Sequence, residues 1–118
     1  MDESMGKQEL YRKFQETGQE KRKLEIALEG FFMEKGEEAR KEVYGTYLKR
    51  RIRSAMEVLI RSEDVGKMEV LEQQGWFGAK ELEGFLRTAR AEKSLSSLAW
   101  LLRLKDEKYG YEDRDFTL

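Results

Sequence analysis

No proline occurs anywhere in this chain, and its few β-branched residues never alternate with polar ones over the length of a strand. Proline is the most reliable helix breaker, because its ring removes a backbone N–H and clashes with the preceding turn. Where it is missing and good helix formers dominate, only glycine, serine and the apolar pattern are left to end a helix. The expected fold class is therefore all-α.

The thickness of the core follows from two nearly equal fractions, 39% apolar and 40% charged. Side chains in that proportion predict narrow apolar seams between helices rather than a deep globular interior. The 118 residues suit one helical domain, 1–118. The 23 basic and 24 acidic residues nearly cancel, and two tryptophans, five tyrosines and six phenylalanines punctuate the chain, which favours order over disorder.

About five helices are expected. The first begins near Gly6, with Leu10 and Phe14 on one face. Residues 15–23 carry no aliphatic or aromatic side chain and include Gly18, so they form an exposed helical span or a hinge, with 1–18 as a mobile segment. Leu24, Ala27, Leu28 and Phe31 then give the i, i+3, i+4, i+7 stripe of an amphipathic helix, and Gly36 is the expected stop. A second long helix over 37–60 carries Tyr44, Leu48, Ile52, Ala55, Met56 and Leu59, with Val43 and Tyr47 widening the seam. Ser62 is the expected N-cap of a short helix bearing Val65, Met68 and Leu71, with Glu63 and Asp64 favoured by its dipole. Gly75 is placed to end it in a left-handed cap.

Trp76 and Phe77 fall in the next connection. Gly78 and Glu81 have capping-box spacing ahead of a helix carrying Leu82, Phe85, Leu86 and Ala89. Ser94 is the expected cap of a fifth helix that buries Leu95, Leu98, Leu101 and Leu102, with Trp100 on its flank. Beyond Lys105 the pattern decays into a charged tail, 106–118.

The segment around Met68 and Leu71 is echoed thirty residues later by Leu98 and Leu101, each short helix following a longer one through a tight turn. A two-helix unit of that length lies in the range of helical repeats. Gly78-Ala79-Lys80-Glu81-Leu82-Glu83, then Phe85-Leu86, Ala89 and Leu98-Ala99-Trp100-Leu101-Leu102, resembles a degenerate ankyrin repeat, and 47–75 resembles a more degenerate one. The ending Leu101-Leu102-Arg103-Leu104-Lys105 is also similar to helical C-terminal segments of uncharacterised bacterial proteins. The resemblance covers roughly the last 60 to 70 residues, and the helical-repeat-like core is expected over 37–105. It implies a short ankyrin-like helix-pair array after two longer N-terminal helices, and contact with another protein rather than catalysis.

Histidine and cysteine are as absent as proline. That removes the commonest general base and metal ligand, the readiest nucleophile and any disulfide framework. No glycine-rich phosphate loop occurs, and the carboxylate pairs Glu37-Glu38 and Asp113-Arg114-Asp115 lack Ca²⁺-loop spacing. No cofactor, metal or catalytic residue is expected. No apolar run reaches membrane-spanning length, and residues 1–10 lack a signal-peptide core, so the expectation is a cytoplasmic protein without a membrane partner.

Two features remain as candidate contact surfaces. Lys49, Arg50, Arg51 and Arg53 form a basic cluster inside a stretch, 40–61, with seven basic residues and two acidic. Phosphates or an acidic partner would both suit it, although the six acidic residues and two lysines of 62–85 can balance it as a solvated helix face. Trp76 and Trp100 are the aromatic candidates, as tryptophan is enriched at interaction hot spots. The resulting expectation is a non-enzymatic protein–protein interaction module or accessory subunit. A small nucleic-acid-binding regulator using residues 49–53 is the alternative, and a homodimer is possible through a swapped N-terminal segment.

Overall fold

Each of the two expected long helices is cut in two. The structure, a computed structural model, describes residues 3–35 and 38–110, all of whose regular elements are helical. Among the described residues there are seven α-helices rather than about five. They are α1 (Glu3–Glu16), α2 (Glu20–Met33), α3 (Glu38–Arg50), α4 (Ile52–Ser62), α5 (Val65–Gln73), α6 (Ala79–Ala91) and α7 (Leu95–Leu104). A π-helical turn, Lys105–Tyr109, follows α7. The expected stop at Gly36, the pair member Glu37 and the tail residues 111–118, including Asp113 and Asp115, lie outside the described residues.

The first break falls at 17–19, within the stretch that carries no apolar side chain. A helix continued through it would have nothing to bury, whereas a short connection lets α1 fold back against α2. The second break is one residue, Arg51. Its N–H donates to the Leu48 carbonyl at 3.0 Å, an i−3 bond that tightens the last turn of α3, and its own carbonyl accepts from Ala55 N–H at 2.9 Å to start α4. The chain divides into two compact units, Met1–Ala55 and Met56–Leu118, with the boundary inside α4.

The first unit is built from α1, α2 and α3, and α2 packs on both of the others. Its core is Phe14, Leu24, Ala27, Leu28, Phe31, Tyr44 and Leu48, the last two fully buried. Within this chain α1 meets α3 through the Tyr11 and Phe14 rings, which both meet Tyr44 edge-on, at 5.7 and 5.0 Å. Such aromatic pairs contribute about 0.5–1.5 kcal/mol each beyond the area they bury. Gly30 makes the α2–α3 contact possible, because a Cβ there would overlap the ring of Tyr44. Alanine is the better helix former by about 1 kcal/mol, so glycine at this site is set by the close approach and not by the helix. At the α2–α3 connection Glu34, 1% exposed, pairs with Arg40 at 2.8 Å.

The second unit contains the C-terminal part of α4, then α5, α6, α7 and the π turn. Two of its turns are the same object thirty residues apart. Glu63 and Lys93 both have positive φ, 56° and 55°. After each, a backbone N–H reaches five residues back, Asp64 to Leu59 and Ser94 to Ala89, while Glu63 and Lys93 bond Ile60 and Arg90. This double bond is the Schellman ending of a helix, made here without glycine. The connection after α5 does use glycine, and Gly75 has the expected left-handed φ of 76°. Glu81 accepts from Gly78 N–H at 2.8 Å, the half of a capping box that a glycine N-cap permits.

Two caps differ from expectation. Ser62 ends α4 and donates its hydroxyl to the Leu59 carbonyl, while Asp64 is the N-cap of α5 and accepts from Lys67 N–H at 3.3 Å. Ser94 occupies the N-cap position of α7 without a side-chain cap bond. Glu63 supplies that cap instead, its Oε1 accepting from the N–H groups of Ser96 and Ser97 at 2.6 and 3.3 Å. In return the buried Ser97 hydroxyl donates to the Ile60 carbonyl at 2.9 Å. This exchange fixes the rotation of α7. Ser94, Ser97 and Leu101 face inward, whereas Leu95, expected in the core, is 72% exposed. Ion pairs from Lys105 to Glu83 and from Lys108 to Glu72 attach the π turn to α6 and α5.

Candidate functional site

A cavity of about 520 Å³, open to solvent, lies on the first unit, lined by Phe14 of α1, Lys23 of α2 and a row along α3. The α3 residues are Ala39, Glu42, Val43, Thr46, Tyr47, Arg50, with Arg51 just beyond. Positions 39, 42, 43, 46 and 50 recur at helical spacing, so they share one side of α3, offset from the buried Tyr44 and Leu48. All five are exposed, and Val43 is one of the few large apolar residues that are.

One end of this groove is a closed set of contacts centred on Tyr47. Its ring meets Phe14 edge-on at 5.3 Å. The Arg51 guanidinium lies 4.0 Å from the ring centre, and Lys23 Nζ sits 5.8 Å from it and 4.8 Å from that of Phe14. The Tyr47 hydroxyl donates to Glu20 at 3.1 Å, and Arg51 Nε donates to the other oxygen of the same carboxylate at 3.1 Å. Burial raises the Tyr47 phenol above its ordinary range, the hydrogen bond to Glu20 adds to this, and Arg51 opposes it. The phenol therefore stays protonated as a donor. Each ring is flanked by a cation, an arrangement that stiffens both partners.

The four basic residues of the expected cluster divide between the groove and the surface outside it. Arg50 and Arg51 line the groove, whereas Lys49 and Arg53 are exposed and do not. Arg51 is already matched by Glu20; Arg50 makes no ion pair among the described residues, nor does Lys23 or Glu42. Trp76 and Trp100 belong to the second unit, where both are half-buried. Phe77, beside Trp76, is core, packed edge-on against Phe85 at 5.1 Å. Sequence reasoning picked out Arg50 of this row but not Phe14, Lys23, Ala39, Glu42 or Thr46 as its companions in the groove. Val43, expected to widen the apolar seam with Tyr47, is instead 41% exposed in this row.

Among the described residues no three acidic side chains converge to hold a metal ion, and no helix is long and apolar enough to cross a membrane. Comparison of the chain with protein-family models, with curated proteins and with solved structures finds no match in any of the three.

Proposed function

We propose that this chain is a non-enzymatic protein-binding module, an accessory subunit whose main contact surface is the groove on α3. The observation that carries this reading is the exposed row Ala39, Val43 and Thr46 beside a rigid aromatic end built on Phe14 and Tyr47. Exposed small and apolar residues beside an aromatic anchor are what a protein partner desolvates easily. An open groove also suits a macromolecular surface better than a small substrate, which is normally enclosed. Trp76 and Trp100 offer further half-buried anchors on the second unit by the same logic. The ankyrin-like reading is consistent with such a role and receives support from the two like turns at 62–64 and 92–94.

Binding of nucleic acid is less well supported. Glu42 lies in the groove with Arg50, and Glu20 pairs with Arg51, so a phosphate chain following the cluster would find one of its four cations already matched and a carboxylate beside another. Affinity capture from native lysate by the wild-type chain and by Val43→Glu tests the proposal. A protein retained by the wild type and lost by the variant, with unchanged circular dichroism, is the expected result. Equal capture by both, or a salt-dependent gel shift with mixed DNA or RNA, overturns it.

A further inference from the structure

We infer that the occupant of this groove is an amphipathic helix that presents a carboxylate to Arg50 and Lys23 and a cation to Glu42. The inference rests on the protein-binding reading above and adds the partner's shape and charge order.

The shape follows from the α3 row. Its small residues recur with the period of a helix, and a second helix laid against such a row approaches to roughly 8–10 Å between axes. α3 already packs on α2, and Phe14 of α1 meets its Tyr44 and Tyr47, so a helix in the groove would complete a four-helix arrangement. No strand occurs among the described residues, so there is no sheet edge on which an extended peptide could pair.

The charge order follows from what is and is not matched. Arg51 is spent on Glu20, and Lys23 lies over two rings without a carboxylate. Arg50 at one end of the row and Glu42 toward the other lack ion-pair partners among the described residues. Eight residues of helix separate them, about 12 Å along the axis. A partner helix with an acid and a base about two turns apart meets both ends at once. A uniformly anionic ligand such as a nucleic acid would set a phosphate on Glu42.

The test uses the full chain and three fluorescent 18-residue peptides with leucines at i, i+3, i+4 and i+7. The first carries glutamates at one end and lysines two turns on; the second has glutamine, and the third lysine, at all of those positions. Fluorescence anisotropy at low salt is expected to show the Glu–Lys peptide binding at least about tenfold more tightly than the all-lysine one. The gap should narrow at high salt. Arg50→Glu, an exposed position, should reverse the preference in favour of the all-lysine peptide. Equal affinity for all three peptides, or a preference that Arg50→Glu leaves unchanged, overturns the inference. So does sedimentation of the wild type as a dimer that Val43→Glu dissociates, or tighter binding of an oligonucleotide that Arg50→Glu abolishes. If no peptide binds while Val43→Glu still abolishes capture of a cellular protein, the helical occupant is wrong and the protein-binding reading stands. If neither effect is seen, both fall.

Discussion

The phenol end of Tyr44 occupies the space that a side chain on residue 30 would need, and its hydroxyl is buried with no hydrogen-bond partner among the described residues. Burial pushes the Tyr44 phenol up to about 12; the nearby Glu34 carboxylate adds to this and Arg40 opposes it. Below about pH 10 the group is protonated whether the chain is folded or not, so it contributes no pH dependence there. Between pH 10 and 12 the unfolded chain releases this proton first, and stability falls as pH rises. The full difference is on the order of 3 kcal/mol. Tyr44→Phe removes both the titration and the unpartnered hydroxyl while keeping the ring on Gly30. It is expected to raise stability near neutral pH by about 1 kcal/mol, since a buried unpaired donor costs that much or more. Urea unfolding of both proteins from pH 9.5 to 11.5 checks the sign, because the other tyrosines and the lysines titrate alike in each. The variant's advantage should widen with pH; a constant difference would falsify the assignment of this titration to Tyr44.

At the scale of the helices, the caps of α4 and α7 depend on each other. Glu63 closes the amino end of α7, and Ser97 of α7 satisfies a carbonyl at the carboxyl end of α4. Glu63→Ala is expected to cost about 1–2 kcal/mol and Ser97→Ala about 1 kcal/mol, the usual range for lost caps and buried hydrogen bonds. The double variant should lose less than the total of the two, with a coupling of at least about 0.5 kcal/mol. Hydrogen exchange at the Ser96 and Ser97 amides should accelerate in Glu63→Ala, and unchanged exchange there sinks the reciprocal cap. The same contact shows where sequence legibility ends. The stripe of Leu82, Phe85, Leu86 and Ala89 was readable because periodicity alone determines it, as were Gly75 and the Gly78–Glu81 cap. The inward turn of Ser97 and the exposure of Leu95 were not, because they follow from a carbonyl 37 residues away. The break at Arg51 left no mark either, since the apolar spacing runs through it from Leu48 to Ala55. In the candidate site, Arg50 and Arg51 were visible as charge. The wall opposite them was hidden until α1 folded back at 17–19 and brought Phe14 to Tyr47.

Over the whole molecule, two compact units share one helix, so the position of a cut within the chain decides what survives. A fragment of residues 1–62 keeps α4 whole together with the core of Phe14, Phe31, Tyr44 and Leu48. A fragment of residues 56–118 keeps Met56, Leu59 and Ile60, all buried, and the carbonyl that receives Ser97. Cutting after Ser62 instead leaves 63–118 without any of these. Each buried aliphatic side chain contributes about 1.5–3 kcal/mol. Losing three of them approaches or exceeds the 3–9 kcal/mol or so that a 60-residue unit has in total at roughly 0.05–0.15 kcal/mol per residue. Fragments 1–62 and 56–118 are therefore expected to give cooperative thermal transitions by circular dichroism and dispersed amide spectra. The 63–118 fragment is expected to give neither, although it contains α5, α6 and α7 in full. If 63–118 melts as sharply as 56–118, those three side chains and the reciprocal cap are not what holds the second unit together. Its stability must then come from the packing of α6 against α7 and the ion pairs of the π turn.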